Sequence, residues 1–210
     1  MPLDLRDTLP SWDCQIHVSV ITTVLSNADI APLLDELNTR YAVVNTSSYS
    51  HEPPAAGLTE IALVITASGA AIYLKAFIES WAADDAKALR KHLSSITKRG
   101  RKNKWGRHFV PFELRLGSVQ FYFHESLDED EILERIRAAV ELVRSLPDEA
   151  FEGPGRESGH GLWWDRCRRE WRGYIGTWGG EFCIPENVLS DEPGDLICYE
   201  SEIGPPGQGS

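Results

Sequence analysis

FVPFELRLGSVQFYF, residues 109–123, is the stretch on which the fold class turns. Phe112, Leu114 and Leu116 alternate with Glu113 and Arg115. Val119, Phe121 and Phe123 alternate with Gln120 and Tyr122. A period of two sends each set to one face of a strand. Gly117–Ser118, between the two runs, has the chemistry of a two-residue type II′ turn. The stretch is therefore a hairpin. Beyond it, from Asp128 to Leu146, the period lengthens: Ile132, Ile136, Ala139, Val140 and Val143 form one helical stripe. Ser126 or Asp128 supplies a cap, the first turn is acidic as the helix dipole favours, and Pro147 ends the helix. A hairpin running into an amphipathic helix points to an α+β fold: a small mixed sheet with a hairpin, packed against two or three helices, plus a Trp-rich C-terminal extension.

Towards the N-terminus, CQIHVSVITTV (14–24) alternates β-branched residues with polar ones and reads as a strand, with His17 on its solvated face. DIAPLLDELNTRY (29–41) follows as a helix through Ile30, Leu33, Leu34 and Leu37, with Ser26, Asn27 and Asp29 as cap candidates. Residues 42–46 suit a short strand, and 47–57 are a loop by composition. Ala70 to Ile96 reads as helix, with Ile72, Phe77, Ile78, Trp81, Leu89 and Leu93 as core. Residues 58–69 carry Ile61, Leu63, Val64 and Ile65, which suit a buried strand. No turn residue precedes Gly69, so the expectation leans to helix, broken at Gly69. The apolar run Ile61–Leu74 is fourteen residues long, short of the roughly 20 a membrane span needs. The N-terminus has no apolar core of a secretory signal. The expected compartment is the cytoplasm, with no membrane span.

Composition and charge narrow the function classes. The chain has 210 residues and a formal charge of −11, with 42% hydrophobic and 25% charged side chains. That composition is globular. The overall field repels phosphate, which argues against nucleic acid. One block runs the other way: KRGRKNKWGR, residues 98–107, has six basic residues in ten. Lys98, Arg99, Arg101, Lys102, Lys104 and Arg107, with Trp105 available to stack, are candidate contacts for a partner. The plainer reading of the block is a solvated connection between a helix and a strand, and it is the one preferred.

The end of the chain differs in character. LWWDRCRREWRGYIGTWGGEFCIPENVL, residues 162–189, holds four of the seven tryptophans. Leu162 to Arg172 reads as a short amphipathic helix. Residues 174–178 and 181–184 then flank Gly179–Gly180 as a hairpin. Residues 147–210 contain 13 acidic and 5 basic side chains, net −8, so acidity concentrates there. The expected division is an α/β module over 1–147, a linker over 148–161, the Trp-rich extension over 162–200 and a disordered tail over 201–210. Large side chains such as Trp163, Trp164 and Trp171 either pack on the module or anchor a partner together with Arg168; packing is preferred, since large exposed apolar patches are rare.

Catalytic chemistry has little support. No HExxH, GxSxG, GxGxxG or EF-hand pattern occurs, and FEGPGRESGHG (151–161) lacks the lysine of a phosphate loop. His124–Glu125 is the best acid–base pair in the sequence. Cys14, Cys167, Cys183 and Cys198 include no CxxC, so His160 with the last three is a weak metal set, and buried reduced thiols are expected. No cofactor, metal or catalytic residue is assigned.

EIALVITASGAAIYLKAFIESWA (60–82), with the hairpin FELRLGSVQFYF and the helix DEDEILERIRAAVELV, resembles the effector-associated constant component domain of bacterial conflict systems over about residues 14–147. The resemblance implies a non-enzymatic accessory module of multi-gene defence or signalling systems, and it carries over no catalytic residue. The expected function is an interaction or adaptor protein with a protein partner. The alternative is an acidic immunity protein or antitoxin that neutralises a basic toxin; a small enzyme using His124, Glu125 or a tail cysteine is the least favoured reading.

Overall fold

Residues 112–123 form the hairpin at the centre of the molecule. The computed structural model describes residues 14–20, 25–46, 63–98, 112–123, 126–153, 161–178 and 180–184. In chain order the elements are β1 (Cys14–Val20), α1 (Asn27–Arg40), β2 (Val43–Thr46), β3 (Leu63–Gly69), α2 (Ala71–Ala82), α3 (Lys87–Lys98), β4 (Phe112–Leu116), β5 (Val119–Phe123), α4 (Glu129–Ser145), β6 (Gly161–Asp165), β7 (Glu170–Thr177) and β8 (Gly180–Ile184). The fold is α+β, and all the described strands join one eight-stranded mixed sheet in the order β2-β1-β3-β4-β5-β6-β7-β8. Each of the pairs β1/β2, β3/β4 and β5/β6 is parallel and spanned by helix. The remaining neighbours are antiparallel. The basic block from residue 99 onward, the pair His124–Glu125, and residues 154–160 and 185–210 lie outside the described residues.

Alternation decides which way each strand faces. Ile16, Val18, Val20, Leu63, Ile65, Ala67, Phe112, Leu114, Leu116, Val119, Phe121 and Phe123 fall on one side by register and are all buried. Each such side chain contributes about 1.5–3 kcal/mol when taken out of water. The helices cover this side, with α1 on α3, α3 on α4 and α2 on α4. The Gly117–Ser118 turn needs its glycine. Gly117 has φ +59°, and a Cβ there would stand 2.3 Å from the Phe151 carbonyl oxygen. Ser118 donates its backbone N–H to that same oxygen at 3.2 Å.

α4 starts as its sequence suggests: Asp128 accepts from the Glu131 N–H, and Glu131 accepts from the Asp128 N–H, each at 2.8 Å, a reciprocal capping box. Buried Ser94 and Thr97 of α3 donate hydroxyls to the Leu127 carbonyl at 3.0 and 3.1 Å, so the approach to α4 is bound to α3. Within the expected linker, Asp148–Phe151 is a 3-10 turn with Ala150 and Phe151 buried. Lys75 holds it through Asp148 at 2.8 Å.

Four expectations are corrected. Residues 63–69 are strand, not helix: Leu63, Ile65 and Ala67 face inward while Val64 and Thr66 are only half-buried. The run lacks turn residues because Ser68–Gly69 at its end is the break, and α2 begins at Ala71. The helix expected to Ile96 is two helices, since the chain is extended at Ala83 before Asp84 and Asp85 open a new turn. Buried Arg90 spans the break, donating to the carbonyls of Trp81 and Ala83 at 3.0 and 2.7 Å. A cation at a helix C-terminus is favourable. Ile72, expected in the core, is 70% exposed; Leu74 takes that place. The last correction concerns Leu162–Arg172, which is β6, a turn and the start of β7, not a helix. Trp163 and Trp164 are adjacent, so one faces each side of the sheet, and Arg172 returns opposite Trp163. The arginines that suggested a helix face belong largely to the turn.

Candidate interaction face

The side of the sheet away from the helices is built from the alternate residues of the same strands. Across one register line lie His17, Thr66, Arg115 and Gln120. Across the next lie Ser19, Val64, Glu113, Tyr122, Trp163 and Arg172. A glutamate and an arginine two apart on β4 share a face and form an ion pair: Glu113 accepts from Arg115 Nε, and from Nη2 at 3.0 Å. Gln120 accepts the Tyr122 hydroxyl at 3.0 Å. Tyr122 and Trp163 stack with ring centroids 5.3 Å apart. The Tyr122 ring covers Gly161, where a Cβ would come within 2.0 Å of it.

This aromatic patch continues to β7. Tyr174, opposite Gly161, is exposed, and Trp178, just past the strand, is 77% exposed. At the far end of β6, Asp165 accepts the Arg168 N–H at 2.9 Å and faces Arg172 and Arg168 guanidinium groups at 3.4 Å each. Burial alone would raise the Asp165 pKa. The backbone N–H groups of Arg168 and Cys167 and the two guanidinium groups outweigh it, and the carboxyl sits below the ordinary aspartate value.

The residues singled out from sequence are divided by this geometry. Trp164 and Trp171 are in the core, on the helix side. The Trp171 indole N–H donates to the Arg135 carbonyl at 2.9 Å, and the Arg135 guanidinium lies 5.4 Å over the Trp164 ring. Arg169, at φ 55°, joins this lock through Glu134 at 2.6 Å, and that hydrogen bond holds the Glu134 carboxyl below its ordinary value. Trp163 is half-buried on the opposite side and Arg168 is exposed in the turn. Lys98 is the exposed last residue of α3; Arg99, Arg101, Lys102, Lys104, Trp105 and Arg107 lie outside the described residues. Cys167 is exposed in the β6–β7 turn rather than buried, and Cys183 is partly buried. Among the described residues no group of three or more metal-ligating side chains comes together, and no helix is long and apolar enough to cross a membrane.

Sequence reasoning missed Glu113, Arg115, Gln120 and Tyr122. It read them as the wet face of a hairpin, yet Glu113 and Gln120 are both 1% exposed. The available signal was an opposite-charge pair at i, i+2 in the most regular β stretch of the chain. The chain matches no family model, no curated protein and no solved structure.

Proposed function

We propose that this chain is a non-enzymatic interaction protein, and that it binds a protein partner with the face of the sheet away from the described helices. One observation carries the reading. Tyr122, Trp163, Tyr174 and Trp178 are half-buried or exposed, with Arg115 and Arg172 among the half-buried side chains of the same region. Trp, Tyr and Arg are the side chains that dominate binding hot spots, because they bury large areas while keeping a polar handle. A role as an accessory component of a bacterial defence or signalling system agrees with the resemblance drawn from residues 14–147. The acidic-neutraliser reading draws on the charge of −11. It differs in one measurable way, since charge-steered association weakens steeply with salt.

The test is quantitative capture from the native host, with nuclease treatment and washes at low and high salt. Wild type is compared with Trp163→Ala and Trp178→Ser. The expected result is one stoichiometric protein that both variants lose while their thermal midpoints stay near wild type. Equal capture by all three proteins would refute the proposed face. Retention in the high-salt wash supports the aromatic face; release by salt alone supports the neutraliser.

A further inference from the structure

Strands β3, β4 and β5 set Thr66, Arg115 and Gln120 side by side on the face away from the described helices. Neighbouring strands are about 4.8 Å apart, so three such side chains can reach one small group. Their acceptors and donors are used unequally. Glu113 takes the Nε and Nη2 edge of the Arg115 guanidinium. A guanidinium has five N–H donors in a fixed fork, so Nη1 and the outer N–H of Nη2 remain. No described group accepts from Nη1, although the side chain is only 22% exposed. Gln120 is 1% exposed, and its Oε1 is taken by the Tyr122 hydroxyl. No described group accepts from its Nε2. Neither atom is among the buried, unpartnered side-chain atoms of the described residues, which are Trp81 Nε1, Arg90 Nε and Ser118 Oγ, so both donors keep an opening to the surface through which a group can reach them. Here the protein satisfies the acceptors and leaves the donors.

We infer that Arg115, Gln120 and Thr66 form a carboxylate-binding site. A planar carboxylate meets the free guanidinium edge with two parallel hydrogen bonds. The Gln120 amide then reaches the same anion from the neighbouring strand. Glu113 is the positioning residue: its buried carboxylate fixes the plane of the guanidinium. The adjacent Glu113 charge and the net −11 of the chain select a monoanion over a phosphate dianion. The carboxylate is an Asp or Glu side chain of the protein partner; this assignment rests on the interaction reading above, whereas the site itself does not.

The test uses the full chain, labelled with nitrogen-15, titrated with sodium acetate and separately with sodium chloride at matched ionic strength. Acetate is expected to shift the Arg115 Nε–H signal and the amides of Thr66, Arg115 and Gln120 saturably, with a millimolar Kd. Chloride should not. Arg115→Lys should weaken acetate at least about tenfold, because an ammonium cannot offer the bidentate edge. Should that variant fail to fold, Gln120→Met, which keeps the volume and removes the donor, is expected to weaken acetate severalfold. Identical shifts with chloride, or shifts at other arginines only, overturn the site. Elution of the captured partner by acetate supports the partner as source. A partner held through Trp163 while acetate leaves these signals unmoved overturns this inference and leaves the interaction face standing. Acetate binding without any effect on capture keeps the site and assigns it to a free small carboxylate.

Discussion

Strands β1 and β3 bury Ile16, Val18, Val20, Leu63, Ile65 and Ala67, whereas β6 and β7 bury Trp164, Trp171 and Ile175. The first set is aliphatic and lies under a layer to which α1, α2 and α3 all contribute. In the second, α4 is the helix packed on β7, and the rings do much of the covering themselves. Trp171 meets Phe121, Phe123 and Trp164 edge-on at 4.9, 5.2 and 5.4 Å between centroids. The opposite faces differ in the same sense. His17, Ser19 and Thr66 are small or polar, while Tyr122, Trp163 and Tyr174 are rings. A sheet can be sealed by many modest side chains under several helices or, as on β7 among the described residues, by a few large ones under one helix and a short turn. The second solution places big rings on both faces, with Trp164 and Trp171 buried and Trp163, Tyr174 and Trp178 half-buried or exposed.

The strongest way to break this comparison is Trp171→Ala. It removes a buried ring and the indole hydrogen bond to Arg135, and should cost about 3–5 kcal/mol by denaturant unfolding. Because β5 and β6 are paired, hydrogen exchange should show weakened protection in β1 and β3 as well. Loss confined to β6–β8 would mean that the two halves unfold separately. Gly117→Ala strikes the seam between the halves, since its φ of +59° and the 2.3 Å approach to Phe151 are both refused by a Cβ. We expect a loss of about 2 kcal/mol or more, read as a lower thermal midpoint. Asp165→Asn is smaller, about 1 kcal/mol at neutral pH. The folded pKa of Asp165 is depressed, so its contribution is present above the ordinary aspartate range and disappears as pH falls through the folded value. Wild type and variant should therefore converge in acid; a gap that stays constant down to low pH would show that the carboxylate charge is not involved. Smallest is Trp178→Ser, within about 0.5 kcal/mol because the ring is already in water. A larger loss would place Trp178 in the packing and remove it from the interaction face.

Legibility in the sequence follows the same division. The hairpin, α1, α4 and β1 could be read because polar and apolar side chains alternate between their two faces, which makes the period visible at Phe112–Phe123 and at Ile132–Val143, although Glu113 and Gln120 are buried all the same. β3 was obscured because Val64 and Thr66, on its outer side, are barely more polar than Leu63 and Ile65. β6 was obscured because Trp163 and Trp164 supply a ring to each side, so no alternation exists to be seen. Arg166, Arg168 and Arg169 then imitated a helical polar face from within a turn. The β7–β8 hairpin was legible from its glycines, since turn chemistry does not depend on which face is wet, but its turn was placed one residue too late: Gly180 already pairs with Thr177 as the first residue of β8. The candidate face was least legible of all. Its Arg and Trp content was visible, but a line across a sheet joins residues as distant as His17 and Gln120, and only strand order brings them together.

The alternation of parallel and antiparallel neighbours has a consequence during synthesis. Only the β4–β5 turn and the β6–β7 and β7–β8 turns join strands that are close in sequence; every parallel pair waits for a helix to be made first. Closure of a hairpin takes microseconds, while translation takes roughly a tenth of a second per residue. The nascent chain thus carries a finished β5, with its outer edge open, until residues 161–165 leave the ribosome. An open edge beside Phe121 and Phe123 is a template for pairing with another chain. A product ended at residue 147 should keep that edge for its lifetime and be more prone to self-association than the full chain, whose β6 pairs with β5 and moves the edge of the sheet out to β8.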